Sequence, residues 1–175
     1  MKIDKEIVSK ISREYIFLSG IFDIDAKYFK KRIDEGVQNS GLSYPTNVHG
    51  KQTGWQFFQK DEKFLALLLP LLDYLEGLDL KLAQFYLKSA WGLIETFGDY
   101  TNRHMHSPAS LSGVLYLNDH HQKLYFPEIN RDISPEEGRF VLFSSFLTHY
   151  TKRNSRPIKK YAISFNFFPE TYEQR

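Results

Sequence analysis

Residues 104–117 read H-M-H-S-P-A-S-L-S-G-V-L-Y-L: two histidines spaced two apart, a turn, then an apolar run of strand length. In extended chain, residues two apart point to the same side, so His104 and His106 can face one ion. Tyr116 lies inside the apolar run. Outward from this stretch the texture repeats. LAQFYLKSAWGLIETF (82–97) precedes it, and KLYF (123–126), RFVLF (139–143) and KKYAISFNFF (159–168) follow. FGDYTN, NDHHQ, NRDISPEEG and TKRNSRP separate them, each a turn signal. Many short strands joined by polar turns point to a sandwich or barrel rather than a parallel sheet.

The first third reads differently. Asp25 is a candidate N-cap for AKYFKKRIDEGVQ, which sets Phe29, Ile33 and Val37 on one face and charges on the other. Gly36 inside that stripe predicts a frayed last turn. A second helix is expected from Asp61 to Leu78, on Phe64, Leu68, Leu71, Leu72 and Leu75, with Pro70 kinking or dividing it. The segment between, residues 39–55, is turn-rich and reads as loop. The expectation is an α+β chain: a double-stranded β-helix (jelly-roll) core with N-terminal helices packed on one face. One domain spans residues 1–175, with 1–80 a mainly helical covering region and 81–170 the core.

Bulk properties narrow the function. The chain has 175 residues, 42% hydrophobic and 16% aromatic, enough for one ample core. A formal charge of +2 gives no footprint for nucleic acid or for a membrane surface. The apolar segment Phe64 to Leu72 is far shorter than the roughly 20 residues a membrane helix needs. The charged N-terminus MKIDKEIVSKISREY carries no run resembling a signal peptide, so a cytoplasmic location is expected. Cysteine is absent, which restricts any transition-metal site to histidine and carboxylate ligands.

There are six histidines. His149 follows the strand RFVLF and the link SSFLT, where the chain would return towards His104 and His106. His120 and His121 sit in the turn NDHHQ and read as exposed; His49 reads as structural or surface. Lys160 opens the last strand. It is either one of a solvated basic run with Lys152, Arg153, Arg156 and Lys159, or a buried cation for a ligand carboxylate. Tyr116 is either plain core or a hydroxyl donor beside it.

The ordered set A-W-G-L-I-E-T-F-G-D-Y, H-M-H-S-P-A-S-L-S-G-V-L-Y-L, S-P-E-E-G-R-F-V-L-F-S-S-F-L-T-H and K-Y-A-I-S-F-N resembles the iron(II)/2-oxoglutarate-dependent oxygenases. It is most similar to their prolyl-hydroxylase-like branch, and within it to a small phage and marine-bacterial group. The match runs from Ala90 to Asn166, and N-V-H-G-K-Q-T-G-W (47–55) looks like that group's entry segment. The resemblance implies Fe(II) on His104, His106 and His149. It also implies that Lys160 and Tyr116 hold the far carboxylate of 2-oxoglutarate, with molecular oxygen as co-substrate and hydroxylation as the usual outcome. Gly138 begins the strand leading to His149 and is structural. The family's usual motif is H-x-D/E, whereas His106 stands at the carboxylate position, as it does in the group's close relatives. Three neutral imidazoles leave the iron-2-oxoglutarate unit neutral, against −1 with a carboxylate. Two histidines with water, or a carboxylate recruited from Asp99, are the other ligand sets.

Two rival functions remain open on sequence: a cupin-like metal-dependent enzyme without 2-oxoglutarate, and a non-catalytic jelly-roll binding module. The substrate, small molecule or peptide, is not encoded in any motif, and neither is the oligomeric state. Loops 40–60 and 118–136 are the candidates for choosing it. Trp55, Phe57 and Phe58 either line an entrance or pack in the core.

Overall fold

The computed structural model describes residues 14–39, 46–77 and 85–169. In chain order the elements are β1 (Phe17–Ile21), α1 (Ala26–Gln38), β2 (Val48–His49), β3 (Lys51–Gln52), α2 (Glu62–Gly77), β4 (Phe85–Glu95), β5 (Tyr100–Thr101), β6 (Leu111–Tyr116), β7 (Leu124–Phe126), β8 (Arg131–Ile133), β9 (Arg139–Ser144), β10 (Tyr150–Thr151) and β11 (Lys160–Pro169). The architecture is mostly β. A six-stranded sheet has the order β1-β9-β6-β11-β4-β3, and β10-β7-β8 and β2-β5 form smaller sheets. Every neighbouring pair of the large sheet is antiparallel.

Alternation along the four central strands assigns each residue to one of two cores. Ile163, Phe165 and Phe167 of β11, Ala90 and Ile94 of β4, Leu111 and Leu115 of β6 and Leu142 of β9 meet the helices. Trp91 and Leu93, Val114 and Tyr116, Val141 and Phe143, and Ala162 face the other way, towards Leu124 and Phe126 of β7. Both faces are buried, which is why these strands read as nearly continuous apolar runs rather than alternating ones.

The helices pack on one face, as expected. Asp25 caps α1 by accepting a hydrogen bond from the Tyr28 N–H at 3.0 Å, and Phe29 and Ile33 are fully buried beneath it. The frayed last turn predicted at Gly36 is absent, because α1 runs on to Gln38. A Cβ there would lie 2.7 Å from the Phe57 ring and from Thr53 Cγ2. Gly36 is therefore a point of close approach between α1 and the segment carrying Thr53 and Phe57, and packing outweighs its low propensity.

Asp61 caps α2 through the Phe64 N–H at 3.0 Å. The helix passes through Pro70 undivided, from Glu62 to Gly77. Pro70 and Ala66, whose carbonyl loses its donor, both lie on the exposed side, where water can replace the bond. Residue 78, the expected end of that helix, lies outside the described residues. No helix among the described residues is long and apolar enough to cross a membrane.

The first 80 residues are not purely a helical cover. β1 closes one edge of the large sheet against β9, and β3 closes the other against β4. Gly138 has φ +81 where the chain turns into β9, and a Cβ there would meet the Phe22 carbonyl at 2.2 Å. Only glycine suits that turn.

Candidate functional site

The sheet face away from the helices carries a confined cavity of about 60 Å³. Its lining includes His104, His106, His149, Tyr116, Lys160 and Glu95. All five residues singled out from the sequence thus share one cavity.

Backbone pairing sets the histidines. His104 and His149 form an isolated antiparallel bridge, with N–H···O distances of 3.1 and 2.9 Å. The His106 N–H donates to the Ser145 carbonyl at 2.9 Å, which ties the same two segments together. One candidate ligand nitrogen from each of the three rings lies within 4.8 Å of the others. The ring tautomers follow from the partners. His104 Nδ1 sits 2.8 Å from the Asn102 carbonyl and His149 Nδ1 sits 3.0 Å from the Leu147 carbonyl. A carbonyl only accepts, so both Nδ1 atoms carry the hydrogen and both Nε2 atoms keep a lone pair.

His106 Nε2 lies 3.2 Å from His149 Nε2. Two ligand nitrogens about 2.1 Å from an ion and at right angles to each other are about 3 Å apart, so this spacing suits adjacent positions on one metal. Burial pushes His106 down to about 3 and His149 well below the usual histidine range, and burial lowers His104 also. Neutral rings are what a cation requires. The donor set, buried and nitrogen-rich without a thiolate, fits a first-row transition metal. Among the described residues this is the one such cluster of His, Asp or Glu. Asp99 is outside it: its Oδ2 accepts from the Thr96 N–H at 2.7 Å and the Thr96 hydroxyl at 2.9 Å, closing a turn.

The other end of the cavity is charged. Lys160 is only 3% exposed, so the solvated-run alternative is wrong for this member of the run. It begins β11 directly opposite Glu95 at the end of β4, and the two form an ion pair. Glu95 is 1% exposed. Its Oε1 also accepts from the Thr101 hydroxyl at 3.2 Å and the Thr151 hydroxyl at 3.4 Å. Tyr116 lies one strand over, paired with Ala162, and burial together with the Glu95 charge raises its pKa.

Sequence reading missed Glu95. The signal was present, since Glu95 continues the alternation of Trp91 and Leu93 at the end of an otherwise apolar run. Trp91 was missed also: it lines the cavity, and its indole Nε1–H is buried without a hydrogen-bond partner among the described residues.

His120 is buried rather than exposed: its Nε2–H donates to the Ile158 carbonyl at 3.1 Å, and its Nδ1 accepts from the Gln122 N–H at 3.1 Å. Both nitrogens serve the backbone, so it is a structural residue. His49 stays at the surface, stacked on Tyr100 at 4.1 Å. Phe58 is core, Phe57 is half-buried beside it, and Trp55 is partly exposed with its ring edge-on to Trp91 at 4.7 Å.

No protein-family model and no curated protein matches the sequence. Solved structures do match in shape. Viral collagen prolyl hydroxylase from Paramecium bursaria Chlorella virus-1, as its 2OG complex, aligns with a TM-score of 0.66 at 14% identity, over 89% of this chain and 96% of that one. A Pseudomonas putida prolyl-4-hydroxylase aligns at 0.60 and 19% identity, over 89% and 93%. The chain shares their fold. HygX from Streptomyces hygroscopicus, with nickel and 2-oxoglutarate bound, aligns at 0.56 and 12% identity, over 90% and 84%. These structures include members of the branch that the sequence resembles, and the alignments span nearly the whole chain.

Proposed function

We propose that the chain is an iron(II)- and 2-oxoglutarate-dependent dioxygenase, a hydroxylase of an unidentified small molecule or peptide. Its strands would form one double-stranded β-helix oxygenase domain. The observation that carries this reading is the meeting of the neutral His104 and His106 imidazoles with that of His149, more than forty residues away in sequence, in the same cavity as a buried lysine. In this reading His104, His106 and His149 hold the iron, and Lys160 with Tyr116 holds the far carboxylate of 2-oxoglutarate. Bound together, iron and 2-oxoglutarate supply the oxidative decarboxylation by molecular oxygen, to succinate and carbon dioxide, that drives substrate oxidation.

The chain's own contribution is orientation and exclusion of water. The Asn102 and Leu147 carbonyls fix the His104 and His149 rings with Nε2 inward. Trp91, Leu93, Val114, Leu124 and Phe143 wall the cavity and keep it dry.

The ion pair between Lys160 and Glu95 favours one second reading, a metal-dependent oxygenase without 2-oxoglutarate, because the lysine already has an anionic partner. Turnover separates the two. With iron(II), oxygen and 2-oxoglutarate alone, uncoupled formation of succinate is expected in the wild type and lost in His149→Ala. No succinate from an iron-loaded protein would move the assignment to the second reading.

A further inference from the structure

The charge at the Lys160 end of the cavity does not add up for a simple dicarboxylate site. Glu95 and Lys160 are cross-strand neighbours, both almost fully buried, and both line the cavity. Together they are neutral. A ligand carboxylate arriving at Lys160 would place two carboxylates around one ammonium, at a pair of side chains that are both almost fully buried.

Glu95 is not placed to swing away. Thr101 and Thr151 both donate to its Oε1. Thr151 Oγ1 is itself held by the Thr101 N–H at 2.8 Å and by Gln122 Nε2 at 3.3 Å. Among the described residues, the other groups facing the pair offer no second cation. Tyr116 is a buried phenol on β6, and burial favours the neutral form of His120, behind Lys160. His121 is likewise disfavoured as a cation, through burial and the neighbouring Arg156 and Lys160 charges.

We infer that Glu95 sets the charge state in which the co-substrate binds: 2-oxoglutarate enters with one proton, shared between its far carboxylate and Glu95 over the Lys160 ammonium. This rests on the 2-oxoglutarate reading above. The balance is simple, since the dianion and one proton from solvent enter together and no bond to carbon changes. A proton shared by paired carboxylates is the established solution wherever two such groups cannot both ionise. Glu95 is then a specificity residue. It weakens the pull of Lys160 on fully ionised ligands and makes affinity fall as pH rises, by about tenfold per unit where the coupling is complete.

The test is calorimetric titration of 2-oxoglutarate into the Mn(II)-loaded full chain, without oxygen chemistry, in two buffers of different ionisation enthalpy at neutral pH. About one proton taken up per ligand bound is expected for the wild type. Glu95→Gln, which keeps the shape and the threonine hydrogen bonds, should take up none and bind at least tenfold more tightly. Binding by the wild type with no proton uptake overturns the role of Glu95 and leaves the 2-oxoglutarate reading standing. No binding by either protein, with manganese retained, overturns both. The wild-type proton count decides the matter even if the variant fails to fold.

Discussion

The two faces of the large sheet are built from the same strands and obey different rules. The face under α1 and α2 is sealed with Phe29, Ile33, Phe64, Phe165 and Phe167, and the polar groups buried there, Thr53 and Asp61, are taken up by backbone and helix-cap hydrogen bonds. The opposite face, one residue out of phase, buries Glu95, Lys160, Thr101, Thr151 and His149, and leaves the Trp91 indole N–H without a partner. Buried polar groups are costly unless satisfied, so a chain keeps them where they have work beyond folding. Neighbouring residues of β4 and β11 thus divide between the helix-side core and the polar cavity, and under the proposed function substitutions of adjacent positions should separate stability from binding.

The largest effect on stability is expected on the helix side. Phe165→Ala empties a fully buried ring site and should cost about 3–5 kcal/mol in urea unfolding, with metal affinity unchanged wherever the protein remains folded. Lys160→Met, on the cavity side, strands the Glu95 carboxylate without its cation and should cost about 3 kcal/mol. Adding Glu95→Leu to Lys160→Met should recover most of that loss while 2-oxoglutarate binding stays absent. If the double variant instead binds 2-oxoglutarate as the wild type does, the two faces are not divided as described.

Smaller effects test finer points. Gly36→Ala pushes a methyl group into Phe57 and Thr53 and should destabilise by about 1–3 kcal/mol, although alanine is the better helix former. Tyr161 faces the helix side, and its hydroxyl donates to Asp34 at 2.9 Å. Burial and that hydrogen bond raise its pKa from 10.0 to about 12. The folded state therefore binds this proton more tightly than the unfolded chain. The associated stability is fully present below pH 10 and is lost as pH climbs towards about 12. Tyr161→Phe should cost about 1 kcal/mol or less at neutral pH and flatten the decline of stability across that alkaline window.

Much of this division was legible in the residues, for identifiable reasons. β4, β6, β9, β11 and both helices carry long apolar patterns, and Asp25 and Asp61 announce the helix starts. β2, β3, β5 and β10 span two residues each and exist through pairing alone, which no local pattern records. β1, FLSGI, is an edge strand with mixed burial, and it gave no alternation to follow. The histidines and Lys160 were accessible because their spacing matched a known family. Glu95 was not, because an acid at the end of an apolar strand looks like an ordinary strand terminus until its partner across the sheet is known. His120 misled for the converse reason: it lies in a turn by sequence, yet the Ile158 carbonyl draws it inward.

The proposed activity requires iron and 2-oxoglutarate to share the cavity between the histidines and Lys160. Anaerobic addition of iron(II) and then 2-oxoglutarate to the folded chain tests that directly by visible absorption. A charge-transfer band that needs both additions, and that disappears in His149→Ala, is the predicted result. A spectrum unchanged by 2-oxoglutarate, with iron demonstrably bound, would contradict it.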